Sequence, residues 1–143
     1  MKDNIDSSVV INRKIIIELR ISPMATILDR IGSISDSIAQ KNIFKPQNVW
    51  EIGGSDRKVQ FRDNTSQDDT RYSAVVEYNR ISFFCTKVDS IEAFFNQYKK
   101  FYEAVKDCVP QWEVQRIGCR IQGAYKTSTT DFSTLVEKFK SIF

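Results

Sequence analysis

Apolar residues recur at three- and four-residue steps between Ile91 and Val109, through Phe94, Phe95, Tyr98, Phe101, Tyr102, Val105 and Cys108. That spacing lays them along one stripe of a 3.6-residue helix. Asn96, Gln97, Lys99, Lys100, Glu103, Lys106 and Asp107 fall mostly on the wet side. Asp89 followed by Glu92 reads as a capping box, and Pro110 stops the helix about five turns later. A stripe carrying five aromatic rings is too large to leave in water, so a sheet is expected to cover it.

The remaining chain has the strands for that sheet. From Val9 to Ile21 the residues Ile11, Ile15, Ile17, Leu19 and Ile21 alternate with polar ones, with Ile16 as an exception. Ser22-Pro23 reads as an N-cap and first helical residue. The helical spacing of Met24, Ile27, Leu28, Ile31, Ile34 and Ile38 continues to about Gln40, with Gly32 weakening it by ~1 kcal/mol. Val49–Ile52 and Arg57–Arg62 are expected to pair around Gly53-Gly54-Ser55-Asp56. Asp63 to Thr70 has no apolar residue and is read as a solvent-exposed loop. Arg71–Tyr78 and Ile81–Val88 form a hairpin joined at Asn79-Arg80, Trp112–Lys126 is the last strand, and Asp131 caps a helix over Phe132–Phe143.

The expected fold is therefore α+β, in the order β-α-β-β-β-β-α-β-α. A curved, mainly antiparallel sheet of about six strands packs around the long amphipathic helix, since strands joined by hairpins build antiparallel sheets. Residues 1–143 are read as one domain, with 1–8 loose at the start.

Composition changes this picture little. A net charge of +3, from 21 basic and 18 acidic residues, is too small for a dedicated nucleic-acid binder. Cys85, Cys108 and Cys119 each fall on an apolar pattern and read as buried free thiols in a cytoplasmic protein. No apolar run approaches the ~20 residues of a membrane span, and no secretory signal opens the chain.

The chemistry is mostly one of exclusion. The chain has no histidine, which removes the commonest general base and neutral metal ligand, and with it any Ser-His-Asp or Cys-His pair. Three scattered cysteines match no zinc spacing, and no phosphate-cradling glycine loop is present. Asp63 and Asp68-Asp69 lack the ligand pattern of an EF-hand and read as a solvated acidic loop. No catalytic residue, metal ligand or cofactor is assigned.

Two constellations remain. Arg116, Arg120 and Lys126 share one parity of the last strand, and Ile117, Cys119 and Ile121 the other. The basic residues could line the open sheet face with Arg57, Arg62 or Arg71 and hold an anion. An Arg116–Arg120 separation of about 6.5–7 Å is expected along the strand. The bland alternative pairs them with Glu51, Glu77 and Glu113. Trp50, Tyr72, Tyr78 and Tyr125 could form an aromatic platform or serve as cross-strand packing.

The segment Trp112, then Val114-Gln115-Arg116-Ile117-Gly118-Cys119-Arg120-Ile121, resembles the R-[hydrophobic]-G-x-R-Y segment of a sporadically distributed family of uncharacterised prokaryotic proteins. There too it follows a β-hairpin and a long aromatic-rich helix, and it leads into a further helix. Ile121 stands where that family has Tyr, and family members continue into a further half. The resemblance implies no chemistry, because the family has no established activity.

Two functional readings follow. One is a non-catalytic binding protein with a protein partner (inhibitor, immunity or regulatory module), with a homodimer as one form, a protein expected rather than nucleic acid, and no membrane. The other is a pocketed sheet protein that binds or slowly transforms a small anionic ligand. The candidate binding residues are Arg116, Arg120, Lys126, Tyr125 and Trp50.

Overall fold

A computed structural model describes residues 10–45, 49–52, 58–65, 69–125 and 132–140. The expected lead, the Gly53–Asp56 turn, the Thr127–Asp131 turn and Phe143 lie outside the described residues. The strands are β1 (Val10–Ile21), β2 (Val49–Ile52), β3 (Val59–Arg62), β4 (Arg71–Glu77), β5 (Arg80–Thr86) and β6 (Val114–Tyr125). The helices are α1 (Ala25–Asp29), α2 (Ile31–Gln40), α3 (Ile91–Cys108) and α4 (Phe132–Lys140).

The strands form one sheet in the order β2-β3-β4-β5-β1-β6, every neighbour antiparallel. The protein is α+β, as its hairpin-rich pattern requires. Because β5 and β6 flank β1, the β5–α3–β6 connection steps over β1. Strands β4, β5, β1 and β6 with their helices thus follow the split β-α-β order of ferredoxin-like folds, and the β2–β3 hairpin extends the sheet beyond β4.

Alternation along each strand decides what faces the helices. Ile15, Ile17, Leu19 and Ile21 of β1 are buried, in register with Ile81, Phe83 and Cys85 of β5. Ala74 and Val76 of β4, then Val59 and Phe61 of β3, continue that face. The ring of Phe83 is the hub. Its centroid lies 5.1 Å from Phe101, 5.6 Å from Phe94, 5.7 Å from Tyr72, 6.0 Å from Tyr98 and 6.3 Å from Phe44. Helix α3 shares this layer with α2, which adds Ile34 and Ile38, and with Ile27 of α1.

Several expectations are corrected. The cap of α3 is Ser90, not Asp89: its Oγ accepts from the Ala93 N–H at 3.0 Å. The first helix starts at Ala25 and breaks at Arg30 (φ −107°, ψ 11°). The break lets two short helices turn Ile27 and then Ile34 and Ile38 to one core, and Arg30 donates across to the Cys108 carbonyl at 2.7 Å. The β4–β5 turn is Tyr78-Asn79, closed by the Glu77–Arg80 pair. Ile91 and Phe95 are exposed, each at 45%. Consecutive helical positions diverge by about 100°, so with Phe94 buried in the layer, Phe95 cannot also face it.

The start of the acidic loop is also misread from sequence, since Asp63 is buried at 1% exposure. Its Oδ1 accepts from the Lys45 N–H at 2.8 Å and its Oδ2 from the Tyr72 N–H at 3.0 Å, while its own N–H donates to the Tyr72 carbonyl at 2.9 Å. This carboxylate knots the segment after α2 to the β3–β4 connection. Among the described residues, no helix is long and apolar enough to cross a membrane.

Candidate functional site

Strand β6 is twelve residues long and lies at one edge of the sheet. Its register with β1 separates two kinds of side chain. Ile117, Cys119 and Ile121 oppose Leu19, Ile17 and Ile15 on the helix side; Arg116, Gly118 and Arg120 oppose Arg20, Glu18 and Ile16 on the open side.

On the open side, Glu77, Arg80, Arg20 and Arg116 stand in one cross-strand row over β4, β5, β1 and β6. Glu77 takes Arg80 in a bidentate pair, Oε2 from Nε at 2.8 Å and Oε1 from Nη2 at 2.7 Å, which raises the Arg80 pKa. Glu18 accepts from Arg20 Nε at 2.7 Å and lies 3.8 Å from Arg80. Both carboxylates are thereby engaged with the first two arginines, while Arg116 and Arg120 have no partner among the described residues. Of the carboxylates expected to pair with them, Glu77 holds Arg80 and Glu113 accepts from Ser22 Oγ at 3.2 Å. The side chain of Glu51 lies outside the described residues. A trough of about 410 Å³ runs between β1 and β6, lined by Ile16, Glu18, Arg20, Arg116, Gly118, Cys119 and Arg120.

Arg116 and Arg120 therefore share the open face, as their parity requires. Their expected 6.5–7 Å spacing is the rise of only two residues. They are four apart, which places them about 13 Å from each other along the strand. Gly118, without a side chain, leaves the space between them. Arg62 does not line this trough, and Arg71 donates to the Thr65 carbonyl at 2.7 Å. Arg20 and Glu18 were missed. They stand on alternate positions of β1 from its core isoleucines, but only the β1–β6 register brings them beside Arg116. Lys126 and Arg57, together with the side chains of Trp50 and Tyr125, lie outside the described residues. The aromatic platform is not assembled from the described rings, because Tyr72 stacks on Phe83 in the core and Tyr78 sits exposed in the β4–β5 turn.

On the helix side, β6 departs from expectation. Ile117 is 68% exposed and Ile121 57%; Val114, brought opposite buried Ile21 by the register shift ahead of Arg116, is 39% exposed, and Cys119 between the isoleucines is exposed too. The helical layer covers β1 but not its neighbour. Of the three expected buried thiols only Cys85 is buried, with Cys108 intermediate.

The core acids are inert at neutral pH. Burial, with smaller contributions from nearby charge, pushes Cys85, Tyr72 and Tyr98 each up to about 12. Unfolding releases these groups to ionise near their ordinary values of 9.0 and 10.0, while in the folded protein they stay neutral. Their contribution is complete below about pH 9 and is lost as pH rises toward 12. The denaturation midpoint should therefore fall steadily across that window, and a midpoint unchanged from pH 8.5 to 11.5 would contradict this assignment. Among the described residues no cluster of three or more potential metal ligands occurs.

No family model matches the chain, and no curated protein matches it. Among solved structures, the adenosylmethionine decarboxylase of Aquifex aeolicus VF5 is similar over 86% of this chain and 98% of its own, with 6% identity and a TM-score of 0.45. A REP-associated tyrosine transposase bound to a REP hairpin is similar over 92% of this chain and 61% of its own, with 10% identity and a TM-score of 0.40. Likenesses with TM-scores this low carry no argument about what this chain does.

Proposed function

We propose that this is a non-catalytic binding protein of the cytoplasm that engages a protein partner through β6, a second copy of the chain being one such partner. The observation behind this reading is the row of Val114, Ile117 and Ile121, left in water on a long edge strand. Exposed apolar rows and unpaired strand edges are costly to maintain and are the usual substrate of protein association. The lack of histidine and the neutral, buried Cys85 thiol support a role without nucleophilic chemistry, and unpaired cysteines suit a reducing compartment. The test is a comparison of wild type with an Ile117→Ser/Ile121→Ser variant as bait in the source cell extract. Both should melt alike, since neither isoleucine is buried, and the variant should lose the partners that wild type retains. Identical sets captured by both would overturn the reading.

A second reading has its own observation. Arg116 and Arg120 flank an open trough without a carboxylate partner, an arrangement suited to a small anionic ligand. Arg116→Ala/Arg120→Ala should abolish calorimetric heat on titration with pyrophosphate while leaving stability within about 0.5 kcal/mol, because exposed charges contribute little. Heat retained by the variant would remove the trough from consideration. With a net charge of only +3, partner binding should respond weakly to salt, unlike the steep loss typical of nucleic-acid complexes.

A further inference from the structure

The two edges of the sheet are protected unequally. One edge is β2, four residues long; the other is β6, three times that length, without proline and with an apolar row exposed on one side. Long edges of this kind pair with another strand unless charge, proline or a bulge prevents it, and the one register shift in β6, where Arg20 and Ile21 oppose Arg116 and Val114, lies at its start and leaves Arg116 to Gln122 unbroken.

The order of residues on β6 identifies a strand that fits it. We infer that β6 pairs antiparallel with β6 of a second copy, about a two-fold axis at Cys119. This rests on the proposed association through β6 and adds the partner and the register. An axis at Cys119 places Ile117 opposite the partner's Ile121, Cys119 opposite the partner's Cys119, and Ile121 opposite the partner's Ile117. All the exposed apolar positions at the centre of the strand then meet one another on the helix side. On the open side the same axis sets Arg116 opposite the partner's Gln122 and Arg120 opposite the partner's Gly118, so no arginine faces another. Antiparallel pairs put such opposed side chains on the same face, with Cα atoms about 4.5–5.5 Å apart.

Neighbouring registers fail on one face or the other. An axis at Gly118 opposes Arg116 to the partner's Arg120 directly and leaves Ile121 against the partner's Gln115. An axis at Arg120 stacks that arginine on its own copy and sets Ile117 against the partner's Gly123. Like charges directly opposed in a sheet are destabilising, and a glycine or glutamine does not cover an isoleucine. Of these three axes, that at Cys119 satisfies both faces, and a symmetric dimer closed in this way sets the two exposed apolar rows side by side.

Cys119 makes the register measurable, because opposed Cα atoms at this spacing lie within disulfide reach. The full chain should be dimeric by light scattering at micromolar concentration. Mild oxidation with copper phenanthroline should give a reducible dimer on a non-reducing gel, and Cys119→Ser should abolish it although Cys85 and Cys108 remain. Moving the strand's cysteine should then report the axis. Cys119→Ser/Ile117→Cys alone should not crosslink, since its copies are about 13 Å apart along the strand. Mixed with Cys119→Ser/Ile121→Cys it should crosslink between the two kinds of chain. A dimer that persists without crosslinking at Cys119 would overturn this register while leaving association through β6 standing. A monomer would overturn the self-pairing itself. If Cys119 in that monomer resists a soluble thiol reagent, α4 of the same chain is the cover. If it reacts freely while the extract comparison still shows loss of partners from the serine variant, a different protein takes the strand.

Discussion

Replacing Phe83 by alanine is expected to cost about 3–5 kcal/mol, a large share of the 5–15 kcal/mol that holds a domain of this size together. The residue is fully buried at the centre of β5, and its ring is the common neighbour of Phe44, Tyr72, Phe94, Tyr98 and Phe101. Removing it leaves a cavity walled by rings on a sheet strand and on a helix whose last residue, Cys108, is held by Arg30 and by Ser33 of α2, so the site cannot collapse without moving α3. The melting temperature should drop by roughly 10–20 °C. Phe94→Ala should behave similarly. Phe95→Ala is the internal control: 45% exposed and stacked edge-on against Phe94 at 5.5 Å, it should cost about 1 kcal/mol or less. Equal losses at Phe94 and Phe95 would mean that α3 is rotated about its axis from the orientation described.

Asp63→Ala should be the costliest polar substitution, at about 2–4 kcal/mol. The change leaves the N–H groups of Lys45 and Tyr72 without their acceptor, and an unmet buried donor costs about 1–3 kcal/mol. Asp63→Asn retains one acceptor oxygen and should cost about half as much. Urea unfolding with an unchanged slope would register both as shifts in midpoint. An Asp63→Ala protein as stable as wild type would mean that water serves those amides equally well, and that the knot between the two connections contributes nothing.

The pattern of apolar positions was sufficient for the elements and for most of the core. Period two in Ile15, Ile17, Leu19 and Ile21, and steps of three and four in Phe94, Phe101 and Val105, are local properties of strand and helix. They name the buried face whatever packs against it. The same logic put Arg116 and Arg120 on one face of β6 and Ile117, Cys119 and Ile121 on the other.

What the pattern could not decide was which faces are covered. Asp63 reads as loop in sequence, yet its carboxylate is buried because backbone amides from two distant segments converge on it. Arg20 and Glu18 belong beside Arg116 only because β6 chose β1 as its neighbour. A strand's alternation states that two faces differ, but coverage depends on where helices joined by other connections come to rest. In this fold they rest over β1, β4 and β5. Val114, Ile117 and Ile121, as apolar as any core strand in sequence, are left in water by that placement on an edge of the sheet.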